Sequence, residues 1–179
     1  MTKVNIMANK KFAVTRNIFL GILALLLFGG CSANYNFTGG SIDPNISTIS
    51  IQSFFNQSGN GPPSMSLQLT EKLKAFYQNN TKLTVVKENG DWQLEGMITK
   101  YYLQPIAPQA NLTAGQTRLT ITINASFNDE KNNRTFKKDF SFYADYDQTQ
   151  TLSQVESEKV NTILDQLVLM VFSETTSNW

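Results

Sequence analysis

Arg118-Leu-Thr-Ile-Thr-Ile-Asn-Ala-Ser-Phe127 decides the fold class. Leu119, Ile121, Ile123, Ala125 and Phe127 alternate with Thr120, Thr122, Asn124 and Ser126, the period of a strand with one apolar and one polar face. A strand of this kind belongs to a sheet covered on one side. Downstream, the polar turn Asn128 to Arg134 leads into Thr135 to Tyr146, where Phe136, Phe140, Phe142, Ala144 and Tyr146 share a face. Upstream, the loop Gln104 to Thr117, with two prolines and a glycine, follows a strand from Trp92 to Leu103 that contains Leu94, Gly96, Ile98 and Tyr102. Hairpins among these three strands make much of the sheet antiparallel.

Further from this centre, Leu83 to Val86 reads as a short strand, and Glu88-Asn89-Gly90-Asp91 as a hairpin turn built on Asn-Gly. Ile46 to Phe55 is predicted as one strand with Ile49, Ile51 and Phe55 on a common face. Met65, Leu69, Leu73, Phe76 and Tyr77 recur at helical spacing between Pro63 and Asn79-Asn80. Ser153-Gln-Val-Glu156 fits a capping box that opens a second helix carrying Val160, Ile163, Leu164, Leu167, Val168, Val171 and Phe172 and ending near Glu174. The order β-α-β-β-β-β-α predicts an α+β domain: a mostly antiparallel sheet of about four to five strands with two helices packed on one face. The other face, rich in Thr, Ser, Asn and Gln, is left to solvent or to a partner.

The N-terminal stretch has a different character. Lys3, Lys10, Lys11 and Arg16 precede an apolar run, Ile18 to Phe28, and no acidic residue occurs before Asp43. A basic head and a short apolar run form a secretory signal. At 1.5 Å per residue that run covers about half of a ~30 Å hydrocarbon core, too short for a permanent span. Gly29-Gly30-Cys31 then resembles a bacterial lipobox, which implies cleavage before Cys31 and acylation of its thiol. The expected organisation is a signal over 1–30, an acylated cysteine and tether over 31–45, and one domain over 46–179. Four of the 15 basic residues lie in the signal; the rest of the chain keeps 11 against 14 acidic residues, a net charge of −3. A slightly acidic domain with no basic stripe is a poor match for nucleic acid.

With no histidine in 179 residues, imidazole metal sites and Ser-His or Cys-His nucleophiles are excluded. A single cysteine excludes an internal disulfide and any CxxC site. No enzyme chemistry and no cofactor beyond the covalent lipid on Cys31 are expected. Asp145 and Asp147, two apart on a strand, sit about 7 Å apart on one face, a spacing that superficially suits paired-carboxylate hydrolysis. The plainer reading is that they end the strand and complement the following helix N-terminus. Lys131, Arg134, Lys137 and Lys138 cluster at the 128–134 turn among Asp129, Glu130 and Asp139. They read as a solvated hairpin or as a tip that contacts the phosphates of an acidic glycolipid. Arg118 either pairs a carboxylate or meets a phosphate, and Trp92 is either an edge of the core or a rim aromatic for a partner.

Residues 35–179 resemble the LPS-assembly lipoprotein family LptE, particularly its divergent Bacteroidetes members. The resemblance is carried by Tyr35-Asn-Phe-Thr-Gly39 after the lipobox, Ile49-Ser-Ile-Gln-Ser-Phe-Phe55, Gly90-Asp-Trp-Gln-Leu-Glu-Gly96 and Pro105-Ile-Ala-Pro108. Arg118 to Phe127 and Phe142-Tyr-Ala-Asp-Tyr-Asp147 complete it. It implies an outer-membrane lipoprotein, facing the periplasm, that plugs the lipopolysaccharide translocon barrel LptD and assists delivery of lipopolysaccharide. Ser32 after the cysteine, where Asp is the usual inner-membrane retention signal, agrees with that location. On this view the 104–117 loop and the 128–134 turn are the candidate contact segments, and Arg118, at the start of the following strand, with Lys131 and Arg134 are the candidate lipopolysaccharide or partner contacts. The alternative is a non-enzymatic periplasmic scaffold lipoprotein that bridges or activates another envelope machine.

Overall fold

A computed structural model describes residues 42–107 and 115–177. The signal, Cys31, most of the tether, the centre of the 104–117 loop and Trp179 lie outside the described residues. The elements are β1 (Thr48–Ile51), β2 (Phe55–Asn56), α1 (Met65–Asn80), β3 (Thr84–Val86), β4 (Trp92–Ile106), β5 (Gln116–Asp129), β6 (Arg134–Asp147) and α2 (Leu152–Thr176). They make an α+β domain with a six-stranded sheet in the order β3-β1-β4-β5-β6, and β2 also pairs with β4.

The sheet is mixed, which corrects the mostly antiparallel expectation. β4, β5 and β6 form the antiparallel meander read from the sequence, with Ile121 opposite both Tyr101 and Phe142. The remaining pairings are parallel: β1 lies between β3 and β4, with Ile49 opposite Val85 on one side and Trp92 on the other. Asn89-Gly90 is therefore not a hairpin turn. β3 and β4 are separated by β1, and the chain from Lys87 to Asp91 steps across it. Asn89 takes φ 55°, and Gly90 is buried against the β1 backbone.

Two irregularities re-aim side chains. Ile46 to Phe55 is not one strand; the chain breaks after Ile51, Phe54 turns inward and Phe55 outward, 67% exposed. Gly96 makes this possible, because a Cβ there would come within 2.5 Å of the Phe54 ring and 2.4 Å of the Asn124 carbonyl oxygen. The Phe54 N–H is satisfied by the Thr70 hydroxyl of α1 at 3.0 Å. In β4 a bulge between Ile98 and Lys100 shifts the register. The alternation flips, so Tyr101 is buried and Tyr102 faces out, 49% exposed.

Leu119, Ile121, Ile123, Ala125 and Phe127 join one apolar cluster with Leu69 and Leu73 of α1 and Ile163, Leu164 and Leu167 of α2. Both helices thus cover the same sheet face, as their apolar stripes require. They are tied to each other by the Tyr77 hydroxyl, 2.6 Å from Thr175 Oγ1, and burial pushes that phenol well above its usual range. The capping box of α2 sits two residues earlier than expected: the Gln154 side chain accepts the Thr151 N–H at 2.8 Å. Glu156 instead accepts the Tyr101 hydroxyl at 2.5 Å, clamping α2 to β4. Among the described residues no helix is long and apolar enough to cross a membrane.

Candidate functional site

The sequence candidates occupy opposite ends of the meander. Arg118 lies near the start of β5, and Lys131 and Arg134 lie at the turn after its end. Eleven residues of extended chain from Arg118 to Asp129 span about 36 Å. The three cations are not brought into one site.

Each has an internal partner. Arg118 faces Asp145 across β5 and β6 and donates Nε and Nη2 to the two carboxylate oxygens, both at 2.8 Å. Its guanidinium lies over the Tyr143 ring, 3.6 Å from the centroid. Arg134 donates Nη2 to the carbonyls of Thr175 and Ser177, at 3.1 and 3.0 Å, where the C-terminal end of α2 presents unpaired oxygens. Lys131 Nζ meets Asp91 Oδ1 at 2.7 Å and the Asn45 carbonyl at 2.7 Å. Lys138 pairs with Glu174 at 2.8 Å.

Asp91 is the hub of the hairpin end. Its Oδ2 accepts the backbone N–H groups of Ser47 and Thr48 at 2.8 and 3.0 Å, and its own N–H donates to the Thr48 hydroxyl at 2.9 Å. Lys131 foremost, then the Ser47 N–H, holds the Asp91 carboxyl well below the usual carboxylate range. A carboxyl with a depressed folded-state pKa adds stability above its unfolded value, near 3.9, and loses it as pH falls toward the folded value. Unfolding measured from pH 6 to pH 2 is therefore expected to show a loss of stability below about pH 4 that Asp91→Asn makes shallower. Parallel curves for the two proteins would refute this role.

The carboxylate pair has structural duties. Asp145 is committed to Arg118. Asp147 accepts the Thr149 N–H at 2.8 Å, and that contact holds it below the ordinary carboxylate range. A glycosidase acid needs a shift in the opposite direction. Trp92 is core, 1% exposed, with its indole N–H donated to Asp129. Among the described residues no group of acidic, cysteine or histidine side chains is placed to hold a metal ion.

Two features escaped the sequence reading. Asp129, fully buried, continues the inward parity of Leu119 to Phe127, so following the alternation one step further would have found it. The second is a row across the open sheet face, Tyr102 opposite Thr120 opposite Tyr143, with both tyrosines about half exposed. No local signal reveals it, because the bulge before Tyr102 sets which tyrosine faces out.

Two of the described concavities are shallow and polar. One of about 490 Å³ on the open sheet face is lined by residues that include Gln52, Glu88, Asn89, Glu95 and Ser126. Another of about 270 Å³, at the hairpin end, includes Asp43, Asn132, Arg134 and Thr175. Neither gathers the convergent, perturbed groups of a catalytic cleft. The arrangement is that of an α+β domain with a mixed sheet covered on one face by two helices.

The chain belongs to the lipopolysaccharide-assembly family LptE, which matches residues 46–174. Among curated proteins, none matches the chain by sequence. Solved structures that share its fold include the following two. A minor lipoprotein of Acinetobacter baumannii is similar at 16% identity and a TM-score of 0.51, over 74% of this chain and 94% of that one. A protein of Xanthomonas campestris is similar at 12% identity and a TM-score of 0.50, over 76% of this chain and 90% of that one.

Proposed function

We propose that this chain is a lipoprotein acylated at Cys31, held in the outer membrane and facing the periplasm, that plugs the barrel LptD and assists lipopolysaccharide delivery. The observation that carries the reading is family membership across almost the whole domain. Cys31 after Gly29-Gly30 supplies the anchor, and several acyl chains, at about 0.8 kcal/mol per buried CH₂, hold a protein on a membrane far better than one. A barrel lumen is polar, and the open sheet face offers Thr120, Asn124, Ser126 and Asn128 to hydrogen-bond with it, directly or through water. No turnover and no cofactor enter this role.

Direct contact with lipopolysaccharide, if made by the cations, falls first to Lys131, whose side chain is 47% exposed. A phosphate there competes with Asp91, as it competes with Asp145 at Arg118 and with helix carbonyls at Arg134. Such binding weakens with salt.

Affinity isolation of the full-length chain from detergent-extracted membranes tests the reading. The expected result is co-isolation of the outer-membrane barrel, with a lipid-bearing Cys31 in the intact mass. Recovery of a peptidoglycan synthase or an efflux component without the barrel would replace it with the scaffold reading. A soluble product that starts elsewhere would remove the anchor.

A further inference from the structure

We propose that the open face of the sheet, centred on Tyr102, Thr120, Tyr143 and Arg118, is the docking surface of this chain for a polar, nearly neutral protein wall. Resting on the reading above, that wall is the inside of the barrel.

The helices cover one face of the sheet, so the other is available for a partner. On it, Tyr102 and Tyr143 flank Thr120 in a single row. With strands about 4.8 Å apart, the two rings are rooted about 10 Å from each other. They are 49% and 47% exposed, and Phe55, opposite Met97 on the same face, is 67% exposed. The β4 bulge is what turns Tyr102 outward; without it Tyr102 would follow the parity of Leu94 and Ile98 into the core. Bulges commonly re-aim a side chain beside a working site.

Arg118 is already held in place for contact. Two hydrogen bonds to Asp145 fix the guanidinium, and the Tyr143 ring supports one of its faces. An Arg118 held by Asp145 and Tyr143 loses little side-chain entropy on binding, and Arg and Tyr are among the residue types that dominate interface energetics.

Charge selects the kind of partner. By strand parity Lys100, Arg118 and Lys137 are opposed on this face by Glu95, Asp139, Asp145 and Asp147. The concavity on the same face includes Glu88 and Glu95 in its lining and no cation. This nearly balanced face concentrates no positive charge for a polyanionic glycolipid, whereas a neutral hydrogen-bonding wall is matched. Size agrees as well. Three strands of 14 or 15 residues give a face about 45 Å long and about 14 Å wide, which with the β1 and β2 margin approaches the roughly 800 Å² per partner of a standard interface.

The test uses the full-length chain in its own membrane, with a photoreactive side chain placed in turn at Tyr102, Tyr143, Leu169 and Met170. The last two are exposed residues of α2. Adducts to the barrel from Tyr102 and Tyr143, in several-fold higher yield than from the two helix positions, are expected. The Tyr102→Ala, Tyr143→Ala pair should reduce barrel recovery at least tenfold while keeping a cooperative melt and the parent's far-ultraviolet circular dichroism, and Tyr143→Phe should not. A barrel that co-isolates but labels only from Leu169 or Met170 would overturn the docking face and leave the proposed function standing. Adducts from the sheet face to lipopolysaccharide or to a second copy would also overturn it. Failure of the barrel to co-isolate at all would overturn both.

Discussion

Gly90→Ala should leave little or no folded protein. A Cβ at residue 90 would sit 2.4 Å from the Ser50 nitrogen, 2.7 Å from the Ile49 carbonyl carbon and 2.8 Å from the Trp92 carbonyl oxygen. All three are backbone atoms of paired strands, so no flexible side chain can move aside to admit the methyl. Relief requires separating β1 from β4 or moving the 87–91 segment off β1, and either opens the sheet where Ile49, Trp92 and Leu94 are buried. The cost is expected to be on the order of 4 kcal/mol or more, at the upper end for one substitution and a large part of a domain's total stability. Gly59→Ala is the control. It has open space around it and a φ of 72°, so only the left-handed backbone penalty applies, about 1 kcal/mol. Urea unfolding followed by circular dichroism separates the two, and equal midpoints would show that the close approach at residue 90 is relieved cheaply.

The same segment shows where the sequence was and was not sufficient. β5 and β6 were legible because a half-buried strand writes its environment into a local period of two, and α1 and α2 because their apolar stripes recur at helical spacing. The placement of β1 was not. Parallel pairing with β3 and β4 joins residues about 40 apart, and no local pattern marks it; Asn89-Gly90 satisfies a hairpin signature equally well. The capping box was ambiguous for a related reason. Thr151 to Gln154 and Ser153 to Glu156 both fit the pattern, and the attraction of Glu156 to a tyrosine 55 residues away decided between them. At the candidate site the cations were legible as charges, but their partners were not. Lys131 takes its carboxylate from the 87–91 crossing and its carbonyl from Asn45, Arg134 takes carbonyls from α2, and only Arg118 and Asp145 face each other in a ladder that register alone could have anticipated.

Asp129→Ala is expected to be nearly as damaging, by a different mechanism. The carboxylate is fully buried at the end of β5, and its oxygens accept the Trp92 indole N–H at 2.9 Å and the backbone and side-chain N–H groups of Asn132 at 3.1 and 3.0 Å. It thereby secures the turn into β6 and the head of an aromatic column in which Trp92 meets Phe127 edge-on, at 5.2 Å between centroids, and Phe127 stacks on Phe136 at 5.3 Å. Removing it takes away hydrogen bonds to a charged acceptor and leaves the indole N–H buried without one, a combined loss of about 3–5 kcal/mol. Asp129→Asn keeps the shape but offers one acceptor oxygen and an amide that must face a donor, so an intermediate loss of about 2 kcal/mol is expected. Trp92→Phe removes the indole donor and leaves the Asn132 contacts intact. In a double-mutant cycle with Asp129→Ala, the two changes should therefore be less than additive by roughly 1–2 kcal/mol. Additive losses would mean that the indole and the carboxylate stabilise the hairpin end independently, and an Asp129→Ala protein within 0.5 kcal/mol of the parent would mean that the turn is held by its backbone alone.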